Sequence, residues 1–410
     1  PYIYRLGAPL QENMTAIFHV HLDAFALAVE QNDHPQHRGK PVVIGARPGT
    51  RGVVSACSYE ARRYGIHSAM PISEAYRRCP HAVYLPVRME RYQKVSARIM
   101  EMFYDYTPEV HQISVDEAFL DMTGTERLFG PPEETAVKIK NRVREETGCT
   151  LSIGIADNHF LAKLASEADK PDGLFHVMPG REIEFLNTLK LKDLWGVGKK
   201  TLARMEELNI TSIQKLRQFS KGSLETMFGK AAGTYLYEAV RGGNPGVFIM
   251  EPKSRSVSNE VTFGADTRDN DSIKRVLLEL AHQVMFRLLK MSCVSKTVCL
   301  KVRFDDFTTT SAQKTLRHYL GSADEIYAVV LELLRQRWNG SRLIRLIGVG
   351  VSSVEEAGSA VQGELFEDEY DRRKKVEKAV LELGKKMSGK PVVKANLLKG
   401  KPRESQNSSS

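Results

Sequence analysis

Apolar and polar positions divide this chain into blocks with different periods. Ala16–Leu22 is a short apolar run with the spacing of a buried strand, and Phe25–Glu30 behind it suits a helix. Pro41–Gly45 and Gly52–Ser55 read as two strands joined by a turn of Gly, Pro and Arg. Helical patterns follow at Tyr59–Tyr64, Ile72–Arg78 and Arg88–Tyr106, then a strand at Thr150–Ile155 and a helix at Asn158–Ala168. Strands and helices thus alternate to about residue 180, which predicts an α+β or α/β core. From Glu182 to Arg241 the pattern is helical throughout. Residues 252–355 are mixed again, with strands near Val257–Phe263, Thr297–Phe304 and Leu343–Ser352 and helices over 271–291 and 322–338. The segment from about 356 is polar, charged, and ends Gln406-Asn-Ser-Ser-Ser410; it reads as a flexible tail. Residues 1–13 precede Met14 and read as extra sequence. No internal repeat is visible.

Composition narrows the class. The 410 residues are 42% apolar and 27% charged, enough for about two to four packed domains. A net charge of +9 favours a polyanionic partner, because clustered Lys and Arg release counterions from phosphates. The five cysteines form no Cys-x-x-Cys pair and their number is odd, which predicts reduced thiols in a cytoplasmic protein. No apolar run reaches membrane-spanning length, and the N-terminus carries no signal-peptide pattern.

Candidate chemistry centres on Asp116-Glu117, framed by Val115, Ala118, Phe119 and Leu120. Ionised carboxylates in such a frame need compensation, and a metal ion is the usual compensator; the alternative is an acidic turn between two strands. Leu194-Trp-Gly-Val-Gly-Lys-Lys200 joins two helical stretches and looks like a helix-hairpin-helix. Gly196 and Gly198 allow a tight turn near a DNA phosphate, with Lys199 and Lys200 adding charge. Tyr59 and Arg62 lie three apart on one helix face and could both donate to a triphosphate, or belong to an ordinary exposed helix. Lys170 sits at a helix end, equally ambiguous by itself.

The segments His19-Val-His-Leu-Asp-Ala-Phe25, Tyr59-Glu-Ala-Arg62, Ser114-Val-Asp-Glu-Ala-Phe-Leu-Asp121, Gly154-Ile-Ala-Asp-Asn158, Leu161-Ala-Lys-Leu-Ala-Ser166, Lys170-Pro-x-Gly173 and Trp195-Gly-Val-Gly198 occur in that order. Together they resemble the Y-family translesion DNA polymerases, bacterial members most of all, from about residue 16 to 355. The resemblance implies an α+β right-hand polymerase: palm over 15–24 and 88–178, fingers over 25–87, a helical thumb over 179–246, and an α/β little finger over 252–355. It implies primer-template DNA and an incoming nucleoside triphosphate as partners of a monomer, with two Mg²⁺ ions (Mn²⁺ as substitute) at the reacting phosphate. It assigns Asp116, Glu117, His21 and Leu22 to the metals, and Tyr59, Arg62, Lys170, Phe25 and Ala26 to the nucleotide.

Three positions depart from the family pattern. His21 stands where the first Asp of an Asp-x-Asp strand bridges both metals, and imidazole suits Mn²⁺ or Zn²⁺ better than Mg²⁺. Asp23, on the same strand face, could substitute only by a shift of about 6–7 Å. Ala26 replaces the aromatic that excludes a 2′-hydroxyl, so weak sugar discrimination is expected. Ala56 replaces a Thr that contacts the triphosphate. In the tail, Gln362, Leu365 and Phe366 of Val361-Gln-Gly-Glu-Leu-Phe-Glu367 resemble a peptide that docks on the bacterial sliding clamp; an apolar pair in a polar stretch suits a partner's pocket. The competing reading, favoured by His21, is a catalytically silent accessory factor that binds DNA and clamp.

Overall fold

In a computed structural model of the chain, the residues described are 15–246, 255–357 and Ala379. The chain falls into two compact units, Pro1–Glu251 and Pro252–Ser410. The clamp-like peptide at 361–367 lies outside the described residues.

The first unit opens with β1 (Ile17–Leu22) and α1 (Phe25–Asp33). Next come β2 (Val42–Gly45), β3 (Val54–Cys57), the single-turn α2 (Tyr59–Arg62), α3 (Ile72–Arg78) and β4 (Val83–Leu85). These strands form a small sheet of order β3-β2-β4 with its own core under α2 and α3. Ser58 starts α2 by accepting from the amide of Ala61 at 3.2 Å, the usual N-cap arrangement.

The chain then builds α4 (Met89–Tyr104), β5 (Val110–Gln112), β6 (Glu117–Asp121), α5 (Glu126–Phe129), α6 (Pro132–Thr147), β7 (Leu151–Ala156), α7 (His159–Ala168) and β8 (Leu174–His176). With β1 they make a sheet of order β5-β6-β1-β7-β8. Both faces are covered. Phe18, Val20 and Leu22 of β1 pack with Ile99 and Phe103 of α4 and Ile139 and Val143 of α6. Ile17 and Phe119 pack on the other side with Phe160, Leu161 and Leu164 of α7. A buried ion network ties α1 to α4: Glu30 accepts from Arg88 at 2.7 Å and from the Tyr92 hydroxyl at 2.7 Å.

The helical block predicted over Glu182–Arg241 is broken into α8 (Glu182–Thr188), α9 (Lys199–Glu207), α10 (Ile213–Arg217), α11 (Lys221–Phe228) and α12 (Lys230–Ala239). Ser212 and Ser220 cap α10 and α11, which is why one periodic stretch becomes several short helices.

The second unit runs β9 (Ser256–Thr267), α13 (Asn270–Lys290), β10 (Cys293–Val294), β11 (Thr297–Phe304), β12 (Thr309–Thr315), α14 (Ala323–Arg337), β13 (Ile344–Ser352) and β14 (Glu355–Glu356). Its sheet has order β12-β11-β13-β9, and α13 and α14 pack on it through Leu277, Val284, Val330 and Leu333.

Candidate active site

Strand alternation puts Ile17, His19 and His21 of β1 on the α7 side of the sheet. His21 pairs directly with Glu117 of β6 and with Ser152 of β7; His19 pairs with Phe119 and Gly154. Gly154 is required here. A Cβ there would sit 2.1 Å from the Ala162 carbonyl oxygen and 2.2 Å from the Ser166 nitrogen. The missing side chain lets α7 press on the strand, and Asn158 fixes its start by accepting from the Leu161 amide at 2.9 Å. Lys163, Ser166 and Glu167 are thereby delivered onto His19, His21 and Glu117.

The contacts are close. Lys163 Nζ donates to Glu117 Oε2 at 2.7 Å and approaches His19 Nε2 at 3.4 Å. His19 Nδ1 meets Ser166 Oγ at 2.7 Å. His21 Nδ1 lies 3.2 Å from Glu117 Oε1 and 3.1 Å from Glu167 Oε1. Lys170 Nζ donates to His21 Nδ1 at 2.6 Å and to Glu167 Oε1 at 2.5 Å.

Burial pushes the Glu117 carboxyl up, but its polar contacts with His19 and Lys163 outweigh that and hold it well below the ordinary range. Burial likewise opposes ionisation of Glu167, and its polar contacts with His21 and Lys170 bring its pKa down to about 2. Burial lowers the His19 pKa to about 4, with the Lys163 charge adding to the effect. Lys163 is thus the cation that faces the half-buried Glu117 carboxylate in this structure.

Asp116 and Glu117 fall in different elements. Asp116 closes the turn after β5, where its Oδ1 accepts from Ser114 Oγ at 2.5 Å, while Glu117 begins β6. The Asp116 carbonyl accepts from the Leu22 amide at 2.8 Å. The Leu22 side chain is buried in the core, so its main chain is the part available to a metal. Phe25 is buried in the same core, which leaves only its backbone for a nucleotide. Ala26 is half-buried at the edge of that core. Asp23 is committed elsewhere: Oδ1 accepts from Ser152 Oγ at 2.9 Å and Oδ2 from the Asp172 amide at 2.8 Å. It pins the loop carrying Lys170 and is not free to replace a carboxylate at His21.

Tyr59 and Arg62 come together on α2, with the guanidinium carbon 5.8 Å from the ring centre and both side chains exposed. In the helix-hairpin-helix, Gly196 has φ 84° and a Cβ there would press on Tyr235, so glycine is needed. Gly198 is the N-cap of α9 at φ −84°, ψ 176°, with open space around it, a conformation any residue adopts. Lys199 and Lys200 open α9 in the exposed position expected. His19, Lys163 and Glu167 were not singled out from the sequence. The signal lay in Lys163, a lone cation among Phe160, Leu161, Ala162, Leu164 and Ala165, because a buried ammonium needs an anionic partner.

An acidic strand edge on a helix-backed sheet, a small α/β lobe carrying Tyr59 and Arg62, and a helical block with a helix-hairpin-helix define a right-hand nucleic-acid polymerase. Models of the impB/mucB/samB family match residues 20–167, and its C-terminal domain matches 254–365. The DNA polymerase-iota thumb-domain model matches 192–243. DNA polymerase IV of Treponema denticola is 43% identical over 384 residues, 93% of this chain and 96% of that protein. The Listeria monocytogenes protein of the same name is 39% identical over 338 residues, 82% and 95% of the two chains. A Y-family DNA polymerase chimera of Dbh and Dpo4 superposes with TM-score 0.75 at 29% identity, covering 83% of this chain and 99% of the other. An insertion ternary complex of Dbh DNA polymerase gives TM-score 0.57 with the same coverage and identity. The chain belongs to the impB/mucB/samB family, the Y-family DNA polymerases of DNA polymerase IV type. Its fold is that of palm, fingers, thumb and little finger.

Proposed function

We propose that this chain extends a primer on damaged template DNA, with low fidelity and weak sugar discrimination, as a cytoplasmic monomer docked on the bacterial sliding clamp through Gln362, Leu365 and Phe366. In this reading the palm spans 15–24 and 88–178, the fingers 25–87, the thumb 179–246 and the little finger 252–355. Primer-template DNA passes Lys199 and Lys200 at the Gly196–Gly198 turn, and the incoming triphosphate is held by Tyr59, Arg62 and Lys170, with Phe25 and Ala26 at the sugar.

The observation that carries the reading is the cross-strand pair of His21 and Glu117 beside Asp116, with Lys170 reaching the same point. A divalent cation at this edge supplies Lewis-acid activation, and Asp116, Glu117, His21 and the Leu22 main chain are the groups that would hold it. The donor set suits one such ion better than a Mg²⁺ pair, because His21 offers a single neutral nitrogen in place of a bridging carboxylate.

Primer extension tests the proposal. His21→Asp is expected to raise the Mg²⁺-dependent rate by about 10²- to 10³-fold, the scale on which single electrostatic groups act in a transition state. The unmodified chain is expected to work better in Mn²⁺ than in Mg²⁺. Ribo- and deoxyribonucleotides are expected to enter with comparable efficiency, and Ala26→Phe should restore a deoxy preference of about 10²-fold. Extension by neither chain, with DNA and clamp binding intact, would move the assignment to the accessory role that His21 favours.

A further inference from the structure

The geometry points to a site for a single borderline cation, Zn²⁺, Co²⁺ or Mn²⁺, built from His21, Glu117 and Glu167. The three donor atoms all lie within 4.8 Å of one another. His21 Nδ1 is 3.2 Å from Glu117 Oε1 and 3.1 Å from Glu167 Oε1. Two donors about 2.1 Å from one cation and 95–110° apart are themselves about 3.1–3.4 Å apart, so the two spacings from His21 match neighbouring ligands of one ion. The remaining groups aim the donors. Glu117 Oε2 is held by Lys163 at 2.7 Å, which turns Oε1 toward His21.

Lys170 borders the site on the His21 and Glu167 side. Its ammonium reaches His21 Nδ1 at 2.6 Å and Glu167 Oε1 at 2.5 Å, so a positive charge already rests against two of the three donors. An ammonium can neutralise this corner by donating hydrogen bonds, and an entering cation has to displace it. One imidazole nitrogen and two single carboxylate oxygens favour a borderline ion over Mg²⁺, which seeks a shell of hard oxygens. Glu167 lies on α7, outside the strand edge that carries Asp116, and its side chain is half-exposed.

Such a site needs neither DNA nor nucleotide, so its occupancy is read independently of synthesis. The full chain is titrated with Co²⁺, following visible absorption, and Zn²⁺ and then Mg²⁺ are added in competition. One Co²⁺ per chain is expected, displaced by Zn²⁺ and untouched by equal Mg²⁺. Glu167→Gln should weaken Co²⁺ binding by more than the roughly 10–100-fold that loss of an outer-shell partner costs, with an unchanged thermal melt confirming the fold. Lys170→Met should tighten Co²⁺ binding, and His21→Asp should abolish the preference for Co²⁺ over Mg²⁺. Absence of a one-to-one Co²⁺ complex would overturn the site, and so would a Glu167→Gln chain that binds as tightly as the unmodified one. A Lys170→Met chain that binds no tighter would overturn the role given to the ammonium.

Discussion

The two large sheets of this protein use polar residues in opposite ways. In the first unit the sheet β5-β6-β1-β7-β8 is covered on both faces, and β7 is buried at every position. In the second unit helices cover one face of β12-β11-β13-β9, and β11 alternates between buried and half-exposed positions. A polar side chain inside the covered sheet must be hydrogen-bonded or paired. One on the open face costs almost nothing. Polarity therefore carries information about chemistry in the first sheet and little in the second.

The contrast is visible in two lysines. Lys163 of α7 is 10% exposed in its side chain and meets Glu117 at 2.7 Å; Lys301 of β11 is 37% exposed and meets Glu260 at the same distance. The distances match but the surroundings do not. Lys163→Met is expected to cost about 3 kcal/mol of folding stability, because it leaves Glu117 without its ammonium next to His19 and His21. Urea unfolding measures this, and a cost under about 1 kcal/mol would show that the covered sheet tolerates unpaired charge.

His19 sharpens the same point through pH. Its native pKa is about 4 against an ordinary value of 6.5, lowered first by burial and then by the Lys163 charge. Between these values the unfolded chain holds a proton on the imidazole that the native chain does not. Stability from this group is therefore complete above pH 6.5 and falls as the pH drops toward 4, by about 3 kcal/mol in all. Unfolding free energies at pH 7 and pH 4.5 should differ less in His19→Gln than in the unmodified chain. Equal differences would remove His19 as the cause.

The same contrast governs how much could be read in advance. Strands β1 and β11 were legible because their apolar runs are dense, and the Asp116-Glu117 pair stood out against its frame. Strand β12, Thr-Thr-Ser-Ala-Gln-Lys-Thr, was not: it has no apolar alternation and exists through its ladder with β11. The segment between Tyr106 and Thr150 gave no elements, although β5, β6, α5 and α6 lie in it. Asp116 and Glu117 could be picked out as candidates from their neighbours in the chain. Glu167 could not, since its meeting with His21 depends on α7 settling against Gly154, a contact between residues far apart in sequence. The role of Asp23 was hidden for the same reason: its partners Ser152 and Asp172 come from distant loops and strands.

Lys301 gives the smallest expected effect and the strictest control. In the second sheet Lys301 of β11, Gly348 of β13 and Glu260 of β9 stand side by side in register. A Cβ at Gly348 would come within 2.9 Å of the Glu260 side chain, so the glycine clears the space across which Lys301 and Glu260 meet. The pair thus has good geometry, and its worth is limited by solvent alone. Exposed pairs of this kind contribute about 0–1 kcal/mol and weaken as salt is added. Lys301→Met is therefore expected to change stability by under about 1 kcal/mol in low salt and by less in high salt. If it cost as much as Lys163→Met, the open face would be dry in solution, and the difference between the two sheets would lie in something other than their access to water.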